Sequence, residues 1–190
     1  QIGRILNALE KSGKADSTYI FFTADHGLAV GRHGLMGKQN LYDHSIRVPL
    51  MVNGPGIPKD KRIDAPVYLQ DIMPTTLELA GAAVPDYVQF KSLLPFIDGR
   101  RDESYEAIYG GYLDLQRMIL YRGFKLMLFP KAPKVLLFDL KNDPLEMNNL
   151  AEQPRQQRRM RRLFARLLEL QRQAGDTLDL VAVYPQLAGI

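Results

Sequence analysis

A short apolar run that ends at a charged turn constrains the fold of this chain more than any other stretch. Residues Tyr19 to Thr23 are apolar and rich in β-formers, and Asp25, His26 and Gly27 follow them almost at once. An apolar run bounded by turn residues is typical of a strand buried on both faces of a parallel sheet. Because sites in α/β sheets form beyond the carboxyl ends of strands, the run predicts an α/β fold with chemistry at Asp25 and His26.

Composition excludes several classes of protein. Of the 190 residues, 46% are hydrophobic and 24% are charged, which is the balance of a packed globular chain. There is no cysteine, so disulfides, thiolate nucleophiles and cysteine–zinc sites are excluded together. No apolar run approaches the roughly 20 residues that a membrane span needs. We therefore expect a packed chain without a membrane span.

The rest of the chain predicts two kinds of architecture. Helical patterns at 2–10 and 71–80 and a second strand at 48–52 predict the remainder of an α/β layer. A helical pattern at 154–174 predicts a long terminal helix. Four strand-like runs separated by turns predict a small antiparallel sheet, at 107–112, 118–122, 124–129 and 135–139. The tail from Asp176 to Ile190 carries no strong pattern. We predict two domains, 1–100 and 101–190.

The candidate chemistry lies between residues 25 and 44. A carboxylate and an imidazole suit a divalent ion, and Gly27 would let the adjacent Asp25 and His26 converge on it. An ammonium such as Lys38 can hold an anion near that metal and stabilise charge on a leaving oxygen. His33 and His44 could be acids, substrate contacts or polar fillers. From the residues alone, a strand-end turn with a solvated Asp25 remains an alternative.

A basic helix is the second candidate feature. The formal net charge of +4 is concentrated between Glu152 and Arg172, where seven arginines and two glutamates give +5. Arg158, Arg162 and Arg166 recur every four residues, so they share one face of a helix. That face is either a solvated surface or a binding site for an anionic partner. Nucleic acid is disfavoured because aromatic side chains for stacking on bases are missing from the segment.

Five segments, in order along the chain, resemble the sulfatases of the alkaline phosphatase superfamily. They are Phe21 to Gly27, Gly31 to Lys38, Leu41 to Leu50, Leu69 to Thr75 and Leu137 to Leu150. The resemblance covers about residues 1–170. It implies the C-terminal part of an alkaline-phosphatase-like mixed sheet, followed by a small antiparallel β subdomain and a terminal helix.

The resemblance also implies roles for individual residues. Asp25 and His26 match two ligands of a divalent metal, which is most often calcium in the family, with manganese or zinc as alternatives. Lys38 matches the lysine that contacts the transferred group and the leaving oxygen, and His33 lies in a loop that can face the substrate. Many members have Asn in place of His26. Members with His include relatives that hydrolyse phosphonate monoesters and phosphodiesters.

The family's nucleophile has no counterpart in this chain. It is a formylglycine made from the first residue of a Cys/Ser-x-Pro-x-Arg motif, and none of the five serines here begins such a motif. The resemblance therefore implies a C-terminal fragment whose N-terminal part supplies the formylglycine. We expect that fragment to be inactive alone and the complete enzyme to hydrolyse the sulfate ester of a small molecule or saccharide. A phosphonate monoester or phosphodiester hydrolase and a non-catalytic anion-binding module are the alternatives.

Overall fold

The computed structural model of the chain describes residues 1–101 and 104–189. They form two compact units, of which the first contains residues 1–25 and 48–104 and the second contains residues 26–47 and 105–190. The predicted domains, 1–100 and 101–190, remain a prediction, because compactness alone does not define a domain. The structure adds that the segment carrying His26, His33 and Lys38 belongs to the second unit.

The secondary structure consists of short elements and one long helix. The helices, in chain order, are α1 (Ile2–Lys11), α2 (Asp43–Ile46), α3 (Ile72–Leu79), α4 (Leu94–Ile97), α5 (Gln157–Gln173), α6 (Leu180–Val183) and α7 (Pro185–Ala188). The strands are β1 (Ile20–Thr23), β2 (Ala29–Val30), β3 (Met36–Gly37), β4 (Leu50–Asn53), β5 (Ala107–Tyr112), β6 (Gln116–Tyr121), β7 (Phe124–Phe129) and β8 (Lys134–Asp139). Short 3₁₀ turns lie at Ala15–Ser17, Arg32–Gly34, Leu69–Asp71 and Pro154–Gln156. No helix among the described residues has the length and apolarity to cross a membrane.

The first unit contains a two-stranded antiparallel sheet in which β1 pairs with β4. Among the described residues β1 has an antiparallel neighbour and no parallel one, so its predicted burial on both faces of a parallel sheet would need strands from a longer protein and stays a prediction. The side chain of Phe22 in β1 is 39% exposed, and that of Met51 in β4 is 57% exposed. Helix α1 likewise leaves the apolar side chains of Ile2 and Ile5 exposed. The first unit thus presents apolar surface that no described residue covers.

Asp71 is the first residue of the range 71–80 that was predicted as a helix, and it directly precedes α3, but its carboxylate does not cap that helix. It accepts hydrogen bonds from the backbone N–H of Tyr68 at 2.8 Å and of Lys91 at 3.1 Å. Asp71 is 1% exposed, so these bonds satisfy a buried charge. Through these hydrogen bonds Asp71 links the backbone at Lys91 to the start of α3.

The second unit is built on the predicted antiparallel sheet, with strand order β5-β6-β7-β8. The turn between β6 and β7 consists of Arg122 and Gly123, both with positive φ, as expected for a tight hairpin. One face of the sheet packs against α5, which buries an apolar stripe formed by Met160, Leu163, Phe164 and Leu167. The sheet and the terminal helix thus confirm the predicted subdomain.

The C-terminal tail is ordered into α6 and α7, although the sequence showed no strong pattern there. Leu180, Tyr184 and Leu187 are each at most 3% exposed and join the core formed with α5. Asp179 begins α6, where its carboxylate accepts a hydrogen bond from the backbone N–H of Ala182 at 3.0 Å. Tertiary burial, rather than helix propensity, stabilises these one-turn helices.

The opposite face of the sheet is covered by the segment that carries the candidate site. Met118, Met127 and Phe138 form a second cluster with Leu41, against which Tyr42 packs. The sheet is therefore buried on both faces, by helices on one side and by the 26–47 segment on the other.

Candidate active site

Asp25 and His26 are neighbours in the chain, just after β1. Asp25 is exposed and follows β1, the last strand residue being Thr23. The Nδ1 atom of His26 lies 2.8 Å from the carbonyl oxygen of Gly27. Because a carbonyl can only accept a hydrogen bond, this contact assigns a proton to Nδ1, and in the neutral ring with that proton the lone pair is on Nε2. A backbone carbonyl on one ring nitrogen is the usual arrangement for a histidine that binds a metal through the other.

Gly27 is required at its position by a close backbone approach. Its N–H donates to the carbonyl oxygen of Ser45 at 2.8 Å. A Cβ atom on residue 27 would lie 2.0 Å from the carbonyl oxygen of His44, a separation that no side chain can adopt. This contact joins the start of the 26–47 segment to α2 at its end.

The segment from Gly27 to Gly37 contains a small hairpin, in which β2 pairs with β3. His33 lies in its turn with φ 54° and ψ 22°, the left-handed region that non-glycine residues rarely occupy. Such strained residues cluster at functional sites and persist only where their surroundings hold them. Lys38 directly follows β3, and its side chain is exposed.

Three stacked rings hold His33 in this conformation. The His33 and Tyr42 rings are 4.0 Å apart and inclined by 13°, and the Tyr42 and His44 rings are 5.6 Å apart. The Nε2 atom of His33 and both ring nitrogens of His44 are buried without a hydrogen-bond partner in the part of the chain that the structure describes. Burial, reinforced by the neighbouring His33, Arg32 and Lys125, lowers the pKa of His44, so its ring is neutral near pH 7.

A buried ion-pair network fixes the segment to the sheet, and sequence reasoning missed it. Lys125 on β7 is 0% exposed, and its Nζ lies 2.6 Å from both an Asp43 and a Glu146 carboxylate oxygen. The second carboxylate oxygen of Glu146 accepts the backbone N–H of Asp43 at 2.7 Å. The available signal was the charge of Lys125 in the otherwise apolar strand from Phe124 to Phe129.

The structure thus brings two of the predicted site residues into well-defined settings. His26 has a ligand-competent tautomer and His33 lies in the ring stack, whereas Lys38 is a solvent-exposed side chain beside the hairpin. No cluster of three or more His, Asp or Glu side chains with metal-binding geometry occurs among residues 1–101 and 104–189. Asp25 and His26 suit a divalent ion chemically, but calcium takes about six to eight oxygen ligands, so the two would form only part of its shell.

Comparison with known proteins gives the family. Residues 31–173 match the family model described as "N-sulphoglucosamine sulphohydrolase, C-terminal". The chain is 36% identical over 157 residues to an arylsulfatase of Clostridium perfringens, covering 79% of this chain and 33% of the relative. It is 32% identical over 188 residues to an N-acetylglucosamine-6-O-sulfatase of Bacteroides thetaiotaomicron, covering 92% of this chain and 34% of the relative. The chain belongs to the sulfatase family and corresponds to its C-terminal region.

Solved structures agree with this assignment. One, described as a complex with its substrate D-glucosamine-2-N,6-O-disulfate, superposes with a TM-score of 0.85 at 32% identity, over 93% of this chain and 38% of that one. A phosphonate monoester hydrolase from Silicibacter pomeroyi superposes with a TM-score of 0.81 at 25% identity, over 95% of this chain and 39% of that one. The chain spans about a third of the length of the curated relatives named above.

Proposed function

We propose that this chain supplies half of the active site of a sulfate-ester hydrolase, as the C-terminal part of a longer protein. In this proposal Asp25 and His26 are two ligands of a divalent metal, calcium in the first instance. Lys38 binds the sulfate group, and His33 contacts the substrate near the ester. The observation that supports the proposal is the likeness to the family: the chain is 36% identical over 157 residues to an arylsulfatase, and it carries Asp25 and His26 side by side just after β1.

Each residue has a defined task in the proposed site. When bound, the metal supplies Lewis-acid stabilisation of charge on the sulfate oxygens. The exposed ammonium of Lys38 is free to follow a charged substrate and to stabilise the oxygen that leaves with the alcohol. The Nε2 atom of His33 has no hydrogen-bond partner among residues 1–101 and 104–189. In this proposal the ring donates a hydrogen bond to the substrate once the rest of the site is present, and proton donation there would contribute roughly 10²–10⁴-fold to the rate.

The remaining half of the site belongs, in this proposal, to a part of the protein N-terminal to this chain. That part would provide the formylglycine nucleophile and the other metal ligands. It would also cover the apolar side chains that the first unit exposes, among them Ile5 at 69% and Met51 at 57%. An exposed apolar patch of this kind commonly marks a surface that packs against another part of a protein.

The test is the hydrolysis of aryl esters by the chain extended with its upstream coding sequence, here called the full-length protein. We expect it to hydrolyse an aryl sulfate, the chain alone to be inactive, and Lys38→Ala to lower kcat by about 10²–10³-fold, as for loss of one transition-state donor. Lys11→Ala, which removes an exposed lysine from α1, is the matched control and should leave kcat unchanged. A Lys38→Ala protein with the wild-type rate would refute the role of Lys38.

A phosphonate monoester hydrolase is the second candidate, favoured by the superposition on the Silicibacter pomeroyi enzyme. The same assay separates the two, because an aryl phosphonate monoester can replace the aryl sulfate under identical conditions. A higher kcat/KM for the sulfate supports the first candidate, and a higher value for the phosphonate supports the second.

A further inference from the structure

The strongest charge on the second unit lies on α5 and the turn before it, and the proposed hydrolase function does not use it. Seven arginines fall between residues 155 and 172. The apolar side of α5 is buried in the core, so most of these guanidinium groups point into solvent. A solvated helix face explains why these side chains are exposed, but it does not explain why arginines so outnumber acidic residues there.

Most of the ion pairing on the helix is confined to one arginine. Arg166 pairs with Glu106 at 2.8 Å and with Glu169 at 2.6 Å. The other six arginines have no carboxylate partner among residues 1–101 and 104–189. Four of the six lie along one side of the segment, and we call them the arginine stripe: Arg155, Arg158, Arg159 and Arg162. Uncompensated guanidinium groups one helical turn apart form a positive ridge that attracts an anionic partner.

Within the stripe, two members touch only neutral groups. Arg155 donates to the side-chain oxygen of Gln153 at 3.0 Å, and Arg159 donates to the side chain of Gln156. The Arg159 guanidinium also lies 3.8 Å from the centre of the Phe124 ring. These contacts orient the two cations without neutralising them, so their charge remains available to a ligand.

A cleft of about 350 Å³ opens beside the stripe, between α5 and the turns after β8. Its lining combines the two cations with amides, carboxylates and one aromatic ring: Phe124, Asp139, Asn142, Asp143, Asn148, Leu150, Arg155, Gln156 and Arg159. The carboxylate of Asp143 is occupied by the backbone N–H groups of Met147 and Asn148, at 3.0 and 2.7 Å. The arginine side chains that line this cleft can pair with sulfate groups, and its amide and carboxylate side chains can form hydrogen bonds with sugar hydroxyls.

We propose that the arginine stripe and this cleft bind a sulfated polysaccharide. The stripe is too long for one sugar, since Arg158 and Arg162 alone are about 6 Å apart along the helix axis at 1.5 Å per residue. Nucleic acid fits less well, because Arg159 covers the only ring in the cleft lining, which leaves no aromatic face there for a base to stack on. This binding requires neither the metal nor the nucleophile, so it stands apart from the proposed hydrolase function.

The test is the affinity of the chain for heparin at about 0.15 M salt, the physiological ionic strength, measured by titration calorimetry. We expect Arg158→Gln/Arg162→Gln to weaken binding at least about tenfold, which corresponds to about 1.4 kcal/mol. Arg155→Gln/Arg159→Gln should weaken it by a similar factor. The matched control is Arg161→Gln/Arg172→Gln, which removes the same charge from other positions on the same helix and should change the affinity less than about threefold, under 1 kcal/mol.

Three outcomes would overturn the proposal. An equal loss in the control pair would mean that only net charge matters. Equal affinity for chemically desulfated heparin would remove the role of sulfate. Equal or tighter binding of double-stranded DNA at the same salt would assign the stripe to nucleic acid. Circular dichroism of every variant keeps a folding defect from being read as a binding defect.

Discussion

At the scale of single residues, Gly27 is the position where backbone geometry most directly limits the site. Gly27→Ala would force a methyl group against the His44 carbonyl oxygen, 2.0 Å away in the present backbone. We expect the free energy of unfolding to fall by at least about 2 kcal/mol, because the hydrogen bond between Gly27 and Ser45 must be broken or strained. Urea unfolding measures this loss, and Gly3→Ala, where nothing lies within 4 Å, is the control. An unchanged unfolding midpoint in Gly27→Ala would contradict the close contact.

Lys125 provides a second prediction at this scale. Lys125→Met would leave the carboxylates of Asp43 and Glu146 close together without their shared cation. Removing one partner of a buried ion pair typically costs about 3–5 kcal/mol. The control is Lys131→Met, which breaks an exposed pair with Asp114 and should cost less than about 1 kcal/mol. Chemical unfolding that gives equal losses for both variants would mean that the buried network does not stabilise the fold.

His44 predicts how stability depends on pH. Its pKa is lowered in the folded protein, chiefly by burial, so the unfolded chain takes up the proton at a higher pH than the folded chain does. Its contribution is therefore complete above the unfolded pKa of about 6.5 and is lost as pH falls through the folded pKa. We expect His44→Gln to lose less stability than the wild type between pH 7.5 and pH 5.5 in urea unfolding. A parallel loss in both proteins would exclude His44 as a source of the pH dependence.

At the scale of elements, the tail helices make the clearest prediction. Leu180 is 0% exposed and packs in the same core as Phe164 and Tyr184. Leu180→Ala should cost about 2–5 kcal/mol, as for other leucines removed from a packed core. Leu145→Ala, at a side chain that is 49% exposed, should cost less than about 1 kcal/mol. If Leu180→Ala unfolded at the wild-type urea concentration, α6 would not belong to the core.

How much could be predicted from the sequence also differs by element. The sheet from β5 to β8 and helix α5 were predicted because alternation and helical spacing are local signals. The antiparallel pairing of β1 with β4 was not, because a strand's neighbours are set by segments far away in the sequence. For the tail, the spacing of Leu180, Tyr184 and Leu187 fits a buried face, but two short helices lack the length that makes periodicity visible.

The candidate site shows the same division. The sequence pointed to Asp25, His26, His33 and Lys38 through motif order, and the structure adds the tautomer of His26 and the strained backbone of His33. The network of Lys125, Asp43 and Glu146 could not be predicted, since its members are up to 103 residues apart. A lysine in an apolar strand indicates a buried partner but does not identify it.

At the scale of the whole molecule, the chain belongs to the sulfatase family, and the proposed function adds a metal that this chain would share with a further part of the protein. Both faces of the β5–β8 sheet are covered, so the second unit is a stable support for the segment with His26, His33 and Lys38. The exposed apolar side chains of the first unit fit a chain that packs against additional protein. The metal content of the protein can be measured without knowing the natural substrate.

The most direct test is therefore the metal content of the full-length protein by inductively coupled plasma mass spectrometry. We expect about one divalent ion per chain in the wild type, since the two proposed ligands bind the same ion. Asp25→Asn/His26→Gln should lose most of that ion, whereas Asp16→Asn/Asp86→Asn, which changes two exposed carboxylates away from the proposed ligands, should keep it. Full metal occupancy in Asp25→Asn/His26→Gln would contradict the assignment of Asp25 and His26 as ligands.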